Sequence, residues 1–289
     1  MSVPSVSVII SVFGQLQYTK RCLAQLEKTL LGELDYEVLI IDDASKDGTV
    51  EFLKGLKEPH RVFLNDENKG FAGNNNLGAR EARGEYLCFL NNDVFVQGDW
   101  LRPMLRVFDE KDDVGIVGNV QKLAGSRRYD HMGMVFSPQG IPRHYGQDFF
   151  HRPFKRQVRQ WSAVTAACCL ANREKFLGFG GFDEIFLNGC EDIDLCLRMS
   201  EEGLAHYVAH DSVVQHVKCA TKGRLDHNQA NESKFMERWG ERISSHYFLM
   251  DRRRYAYWCL MRSLLNPRSF STSLFFESVS ILISPPPKG

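Results

Sequence analysis

The 289-residue sequence lacks an excess of either charge: lysine plus arginine and aspartate plus glutamate each total 36. That balance argues against a protein that binds nucleic acid through bulk charge. It also lacks any CxxC pair. The eight cysteines, Cys22, Cys88, Cys168, Cys169, Cys190, Cys196, Cys219 and Cys259, are scattered and show no zinc-type spacing. They read as reduced thiols in a cytosolic protein rather than as a disulfide framework. No run reaches the roughly 18 apolar residues of a membrane span. The N-terminus has no basic segment followed by an apolar core, so the expectation is a cytoplasmic, non-secreted protein. Walker and G-x-G-x-x-G loops are absent, and no internal repeat is visible. What remains, 43% hydrophobic residues over this length, fits a globular chain with a sizeable core.

The chain is organised around Glu85-Tyr86-Leu87-Cys88-Phe89-Leu90-Asn91-Asn92-Asp93-Val94. Tyr86 to Leu90 has the apolar, partly aromatic character of a buried strand, and it ends abruptly in two amides and a carboxylate. Ahead of it lie a strand at Val6 to Val12, a helix at Tyr18 to Leu31, a strand at Tyr36 to Ile41, a short helix over Val50 to Leu56 and a strand at Arg61 to Leu64. A small-residue segment from Phe71 to Ala82 is compatible with helix. A helix from Trp100 to Phe108 and a strand at Val114 to Val117 follow. Alternating strands and helices imply an α/β fold with a doubly wound, mostly parallel sheet and helices on both faces.

Beyond Gly118 the pattern loosens. Lys122 to Gln160 is rich in Arg, His, Pro and Gly and has no period, which suggests a long functional loop region. Order returns at Ser162 to Leu170. A helix follows behind Glu191 and Asp192, then short strands at Val208 and Val213-Val214. Asn228 to Trp239 and Tyr247 to Leu265 read as helices, ahead of a Ser- and Phe-rich tail ending in Pro285-Pro286-Pro287. The expected organisation is a main domain over 1–220, in halves of about 1–118 and 119–220, and a C-terminal helical extension over 221–289, whose completeness the sequence leaves open.

Five places could carry chemistry. In open α/β sheets ligands bind beyond the carboxyl ends of strands, and both Asp42-Asp43 and Asn91-Asn92-Asp93 stand at such ends. Asp93 could hold a divalent cation, or the segment could simply cap a helix; taken alone it supports both readings equally. An ionised Asp43 accepts hydrogen bonds only, as a base N–H would require, whereas Asp47 is the better helix cap. The Asn68-Lys69-Gly70-Phe71-Ala72-Gly73-Asn74 stretch resembles a phosphate-cradling loop only loosely. Glu191-Asp192-Ile193-Asp194 puts three carboxylates at a helix start, which the helix dipole favours and where one could act as a general base. Arg198 is spaced to pair with Asp194. Of the nine histidines, His216 is the best placed as a ligand, and imidazole favours manganese over magnesium.

Six segments in order, VSVIISVFGQ, VLIIDDASKDGT, NKGFAGNNNLGA, GEYLCFLNNDV, GGFDEIFLNGCEDIDLCLR and the late His216, together resemble the family-2 inverting glycosyltransferases of the GT-A fold, in particular the bacterial rhamnosyltransferase-like subgroup that builds surface polysaccharides. The resemblance covers about Val6 to Val217. It implies a nucleoside-diphosphate sugar donor, UDP- or dTDP-linked, a saccharide or lipid-linked glycan acceptor, and a divalent cofactor, Mn2+ or Mg2+. It implies that Asp43 contacts the base, flanked by Ser11 and Val12. Asn68, Gly70, Gly73 and Asn74 shape the donor pocket, with Asn91 and Asn92 beside it. Asp93 and His216 hold the metal, Asp192 is the base, and Glu191 supports it. Asn91 stands where stricter members carry a first Asp, so the diphosphate must supply much of the coordination. The competing readings are a nucleotidyltransferase, for which Phe13-Gly14-Gln15 offers no phosphate-facing cation, and a non-catalytic binding module. Nothing implies nucleic acid as a partner. The basic and aromatic stretch Arg252 to Trp258 suggests either peripheral contact with the inner membrane face or a packed helix face; oligomeric state is unreadable.

Overall fold

A computed structural model describes residues 5–30, 35–218, 228–266 and 270–284. In chain order the first half runs β1 (Val6–Val12), α1 (Leu16–Leu30), β2 (Tyr36–Asp42), α2 (Thr49–Lys54), β3 (His60–Leu64), α3 (Gly70–Glu81), β4 (Tyr86–Leu90), β5 (Val94–Phe95), α4 (Arg102–Glu110) and β6 (Val114–Leu123). The second half runs β7 (Tyr129–His131), β8 (Met134–Phe136), β9 (Pro142–His144), β10 (Val158–Trp161), β11 (Cys168–Asn172), α5 (Arg173–Gly178), α6 (Glu191–Glu201), β12 (Ala205–His216), α7 (Asn228–Arg242), α8 (Phe248–Leu265) and α9 (Thr272–Ile283). A single π-turn, Ile243–Tyr247, joins α7 to α8.

The main sheet has the order β10-β12-β6-β11-β4-β1-β2-β3. Strands β1 to β4 pair in parallel, as the βαβ pattern requires. β11 then enters antiparallel between β4 and β6, while β12 runs parallel to β6. The result is a mostly parallel mixed sheet of the GT-A type. Successive residues of β1 feed opposite faces, as the two-residue period dictates. Val8 and Ile10 join Leu23, Leu26 and Met104 under α1 and α4, whereas Ile9 joins Phe89, Phe176 and Phe182 under α3, α5 and α6. α3 lies unusually close to the sheet: a Cβ on Gly78 would come 2.5 Å from Ile9 Cγ2.

Several sequence expectations need correction. Residues 122–160 are not a plain loop; they contain β7 to β9 and most of β10, each too short to show a period: β7 pairs with β6, β8 and β9 form a hairpin, and β10 pairs with the distant β12. Val208 and Val213-Val214 belong to one strand, β12, whose register against β6 shifts between Ala209 and Val213, which breaks its alternation. The Ser- and Phe-rich tail forms α9, with Ser271 Oγ accepting from Leu274 N at its start; Pro285-Pro286-Pro287 lies outside the described residues. The seven described cysteines are all free, and all but Cys190 are buried.

The C-terminal helices share the core of the sheet region rather than standing apart. Phe235, Trp239, Tyr247, Tyr255 and Trp258 are buried in the same cluster as Phe89. The stretch Arg252 to Trp258 is therefore mainly a packed face. Arg254 stacks on Trp161 and pairs with Asp251, while Tyr255 and Trp258 point inward. Among the described residues, no helix is long and apolar enough to cross a membrane.

Candidate active site

A cleft of about 560 Å³ opens at the carboxyl ends of β1, β2 and β4, within the usual size of ligand sites. Eleven of the expected residues line it: Ser11, Val12, Asp43, Asn68, Asn74, Asn91, Asn92, Asp93, Glu191, Asp192 and His216. Gly70 and Gly73 do not. Gly70 instead makes the turn into α3 at φ 71°, and Gly73 packs behind, where a Cβ would meet Lys69 Cβ at 3.1 Å.

On the β1–β2 side, Asp43 is 3% exposed. Its Oδ1 accepts from Lys69 N at 2.6 Å and its Oδ2 from Gly70 N at 3.2 Å, so it ties the start of α3 to the end of β2. A carboxylate oxygen accepts more than one hydrogen bond, so both remain competent toward a base N–H. Asp47, which the sequence favoured as a cap, precedes the actual N-cap Gly48 of α2; its carboxylate accepts from Thr49 Oγ1 and from Leu16 N at the start of α1. The three consecutive asparagines of α3 are buried because each spans a gap. Asn74 Oδ1 accepts from Asn65, Asn75 Nδ2 reaches Ser11 Oγ and Phe71 O, and Asn76 exchanges hydrogen bonds with Phe182. Leaving such amides unpaired would cost about 1–3 kcal/mol each.

At the centre, Asn91-Asn92-Asp93 forms a turn rather than a helix cap. The two-residue β5 then pairs with β12, setting Val94 opposite His216. That pairing brings Asp93 Oδ1 to 3.3 Å from His216 Nε2. His216 Nδ1 lies 2.9 Å from Gln121 Oε1 on β6. Donation from Nδ1 to that amide oxygen leaves Nε2 with its lone pair, the outer-sphere arrangement usual for a metal-binding imidazole. One carboxylate and one such imidazole fit a borderline divalent cation such as Mn2+. Among the described residues no group of three or more His, Cys, Asp or Glu gathers as a full ligand set. Asn92 turns its amide away, donating to Thr19 Oγ1 at 3.0 Å. It fixes the turn to α1.

On the far side, Asp192 stands in the first turn of α6. Its Oδ2 accepts from Ala166 N at 3.0 Å, and the next residue, Ala167, accepts from Asn91 N at 2.9 Å. Two consecutive residues thus hold both Asp192 and the Asp93 turn. The segment leading into α6 has Asn188 and Cys190 at positive φ, 60° and 77°, a backbone state of the kind concentrated at functional sites. Glu191 Oε2 accepts from Gly189 N in that turn. Asp194 does not face the cleft. It is fully buried and accepts from Arg198, Arg238 and Trp239, pinning α7 to α6.

The remaining wall comes from the β8–β9 hairpin and α7, through Met134, Pro142, His144, Phe235 and Met236. Sequence reasoning missed Gln121, Asp130, His144 and Lys218. Asp130 is 1% exposed, and its Oδ1 accepts from Lys218 Nζ at 2.6 Å while Oδ2 lies 3.5 Å from His144 Nδ1. Burial acts to raise the Asp130 pKa, but His144 and Lys218 outweigh it and hold the carboxyl well below the ordinary value. Asp130 sits in a three-residue strand that has no readable pattern, so only its partners reveal it.

A sequence model described as glycosyl transferase family 2 matches residues 7–178. The O-antigen biosynthesis protein RfbC of Myxococcus xanthus is 30% identical over 239 residues, covering 78% of this chain; the chain spans only 17% of that relative's length. Two solved structures share the fold. GalNAc-T7 with UDP, GalNAc and Mn2+ superposes with a TM-score of 0.63 at 16% identity, covering 85% of this chain and 58% of that one. The mannosyltransferase PcManGT of Pyrobaculum calidifontis, with GDP-Man and Mn2+, gives 0.61 at 15% identity, covering 96% and 75%. With the GT-A sheet and the family match over more than half its length, this chain belongs to glycosyl transferase family 2.

Proposed function

We propose that this chain is a metal-assisted, inverting glycosyltransferase. It moves a sugar from a nucleoside-diphosphate sugar, UDP- or dTDP-linked, to a hydroxyl of a saccharide or lipid-linked acceptor in surface polysaccharide synthesis. The observation that carries this reading is the convergence of Asp43, the Asp93–His216 pair and Asp192 on one cleft. The name of the O-antigen relative, the UDP and GalNAc bound by one structural neighbour and the GDP-Man bound by the other support it.

In this reading Asp43 accepts the base N–H and Ser11 and Val12 flank it. Asp93 and His216 are the residues that would hold a divalent cation, whose contribution there is to offset charge on the diphosphate. Asp192, oriented by Ala166 N–H, takes the proton of the acceptor hydroxyl as its oxygen attacks the anomeric carbon from the face opposite the diphosphate. The sugar's configuration inverts, and the bonding electrons leave with the diphosphate oxygen. The hairpin and α7 wall hold the acceptor. Where that acceptor is lipid-linked, contact with an anionic membrane surface runs through the exposed side chains of α9, Phe276 and Ile283, beside the exposed Arg253 of α8.

A thermal-shift screen of UDP, dTDP and GDP with Mn2+ tests the donor and metal together, since a ligand of the folded state raises Tm by mass action. A manganese-dependent shift that Asp93→Ala abolishes is expected. No shift with any of the three would reject the donor reading and favour a binding module.

A further inference from the structure

The cleft is short of positive charge. Its lining includes the carboxylates Asp43, Asp93, Glu191, Asp192 and Glu232, but among the described residues only one lysine or arginine, Lys218. A bound diphosphate adds further negative charge, and a divalent cation at Asp93 is already partly offset by that carboxylate. Electrostatic balance at the leaving group therefore calls for another cation.

Lys218 is held where it could supply one. It follows His216 by two residues, at the exit of β12, with φ 66°. Left-handed backbone is unfavourable at a non-glycine residue and persists where surrounding contacts hold it. Here the enforcing contact is Asp130, which is buried beneath the cleft wall and receives one Nζ–H at 2.6 Å. A lysine free to extend would carry its ammonium to bulk water; this one is tethered on the wall. The ammonium has three N–H donors, so two remain for a ligand in the cleft.

We propose that Lys218 is a donor-phosphate residue. Its two remaining N–H groups hydrogen-bond the diphosphate and stabilise it as the bond from the anomeric carbon to the diphosphate oxygen breaks and that to the acceptor oxygen forms. Asp130 is the positioning residue that aims it. The proposal rests on the nucleoside-diphosphate reading above and extends it to a residue beyond the metal pair.

The test is isothermal titration of UDP, dTDP and GDP, each with Mn2+, alongside uridine, thymidine and guanosine, against wild type, Lys218→Met, Lys218→Arg and Asp130→Asn. For the nucleotide that binds wild type, Lys218→Met weakens affinity roughly tenfold or more, the scale of a charge-assisted hydrogen bond. Its nucleoside binds both proteins alike, because the nucleoside has no phosphate to lose. Lys218→Arg recovers most of the affinity, and Asp130→Asn falls between. A folded Lys218→Met that binds the nucleotide as wild type does overturns the proposal while leaving the donor reading intact. Equal weakening of nucleoside and nucleotide also overturns it, marking a structural role. A wild type that binds none of the three nucleotides removes the donor reading and this proposal together.

Discussion

Asp192 and Asp194 stand two residues apart on α6, yet their surroundings give them opposite tasks. Asp194 is sealed among Arg198, Arg238 and Trp239, which consumes its lone pairs in structure. Asp192 accepts only backbone N–H groups, from Ala166 and Ile193, and borders the cleft. Asp192→Asn keeps the shape and the Ala166 hydrogen bond but cannot take a proton. Turnover should fall by roughly 10²–10⁴-fold, with nucleotide affinity unchanged by titration; near-normal turnover would exclude Asp192 as the base. At this scale the sequence was legible where a carboxylate or imidazole closes an apolar run, as at Asp43, Asp93 and His216. It was silent on Gln121 and Asp130, because their meaning comes from partners in other strands. The resemblance set Asn92 beside the donor pocket; it lines the cleft, and its bond to Thr19, which the sequence does not reveal, also braces the turn.

The elements were most readable where burial is continuous. β1, β2 and β4 are nearly uniform apolar runs, and amphipathic α1 carries its core residues at helical spacing. β12 was harder, because it is bulged and carries buried polar residues. Its His206 links three elements: Nδ1 accepts from Ile116 N on β6, and Nε2 donates to Cys196 O on α6. Burial pushes the His206 pKa down to about 4, against the Cys196 bond that raises it; burial likewise holds His210, on the same strand, at about 3. Both histidines are thus neutral in the fold, while an unfolded histidine protonates near pH 6.5. The unfolded state binds more protons below that value, so stability is full above about pH 6.5 and declines as pH falls toward 4. Denaturant titrations at pH 7 and pH 5 should show the loss, and His206→Gln should show a smaller difference between the two pH values. An unchanged difference would assign the acid sensitivity elsewhere.

Across the whole molecule, the C-terminal helices close one side of the cleft and present a different surface outward. α7 and α8 contribute to the main core, whereas Leu264, Phe270, Phe276 and Ile283 are 61%, 51%, 66% and 79% exposed. Asp251 is buried, leaving Glu277 as the other acid of α8 and α9, which also carry Arg252 and the exposed Arg253. Such an apolar, cation-edged face suits an anionic bilayer surface. The chain should co-sediment with phosphatidylglycerol-containing vesicles and less with pure phosphatidylcholine, and Phe276→Ser with Ile283→Ser should release it. Wild type left in the supernatant with both vesicles would reject lipid contact. For Arg252 to Trp258 the sequence left a membrane contact and a packed helix face both open, because composition alone does not reveal which aromatic residues turn inward; Tyr255 and Trp258 do.

The paired grip of Ala166 and Ala167 has a further consequence. One dipeptide holds Asp192 by its N–H and the Asn91–Asp93 turn by its carbonyl. It works as a calliper whose jaws are peptide groups, so their spacing owes nothing to side-chain identity. Under the proposed mechanism the hairpin and α7 could then drift in sequence and change which hydroxyl is presented, while the line of attack, and with it the handedness of the product, stayed as it was.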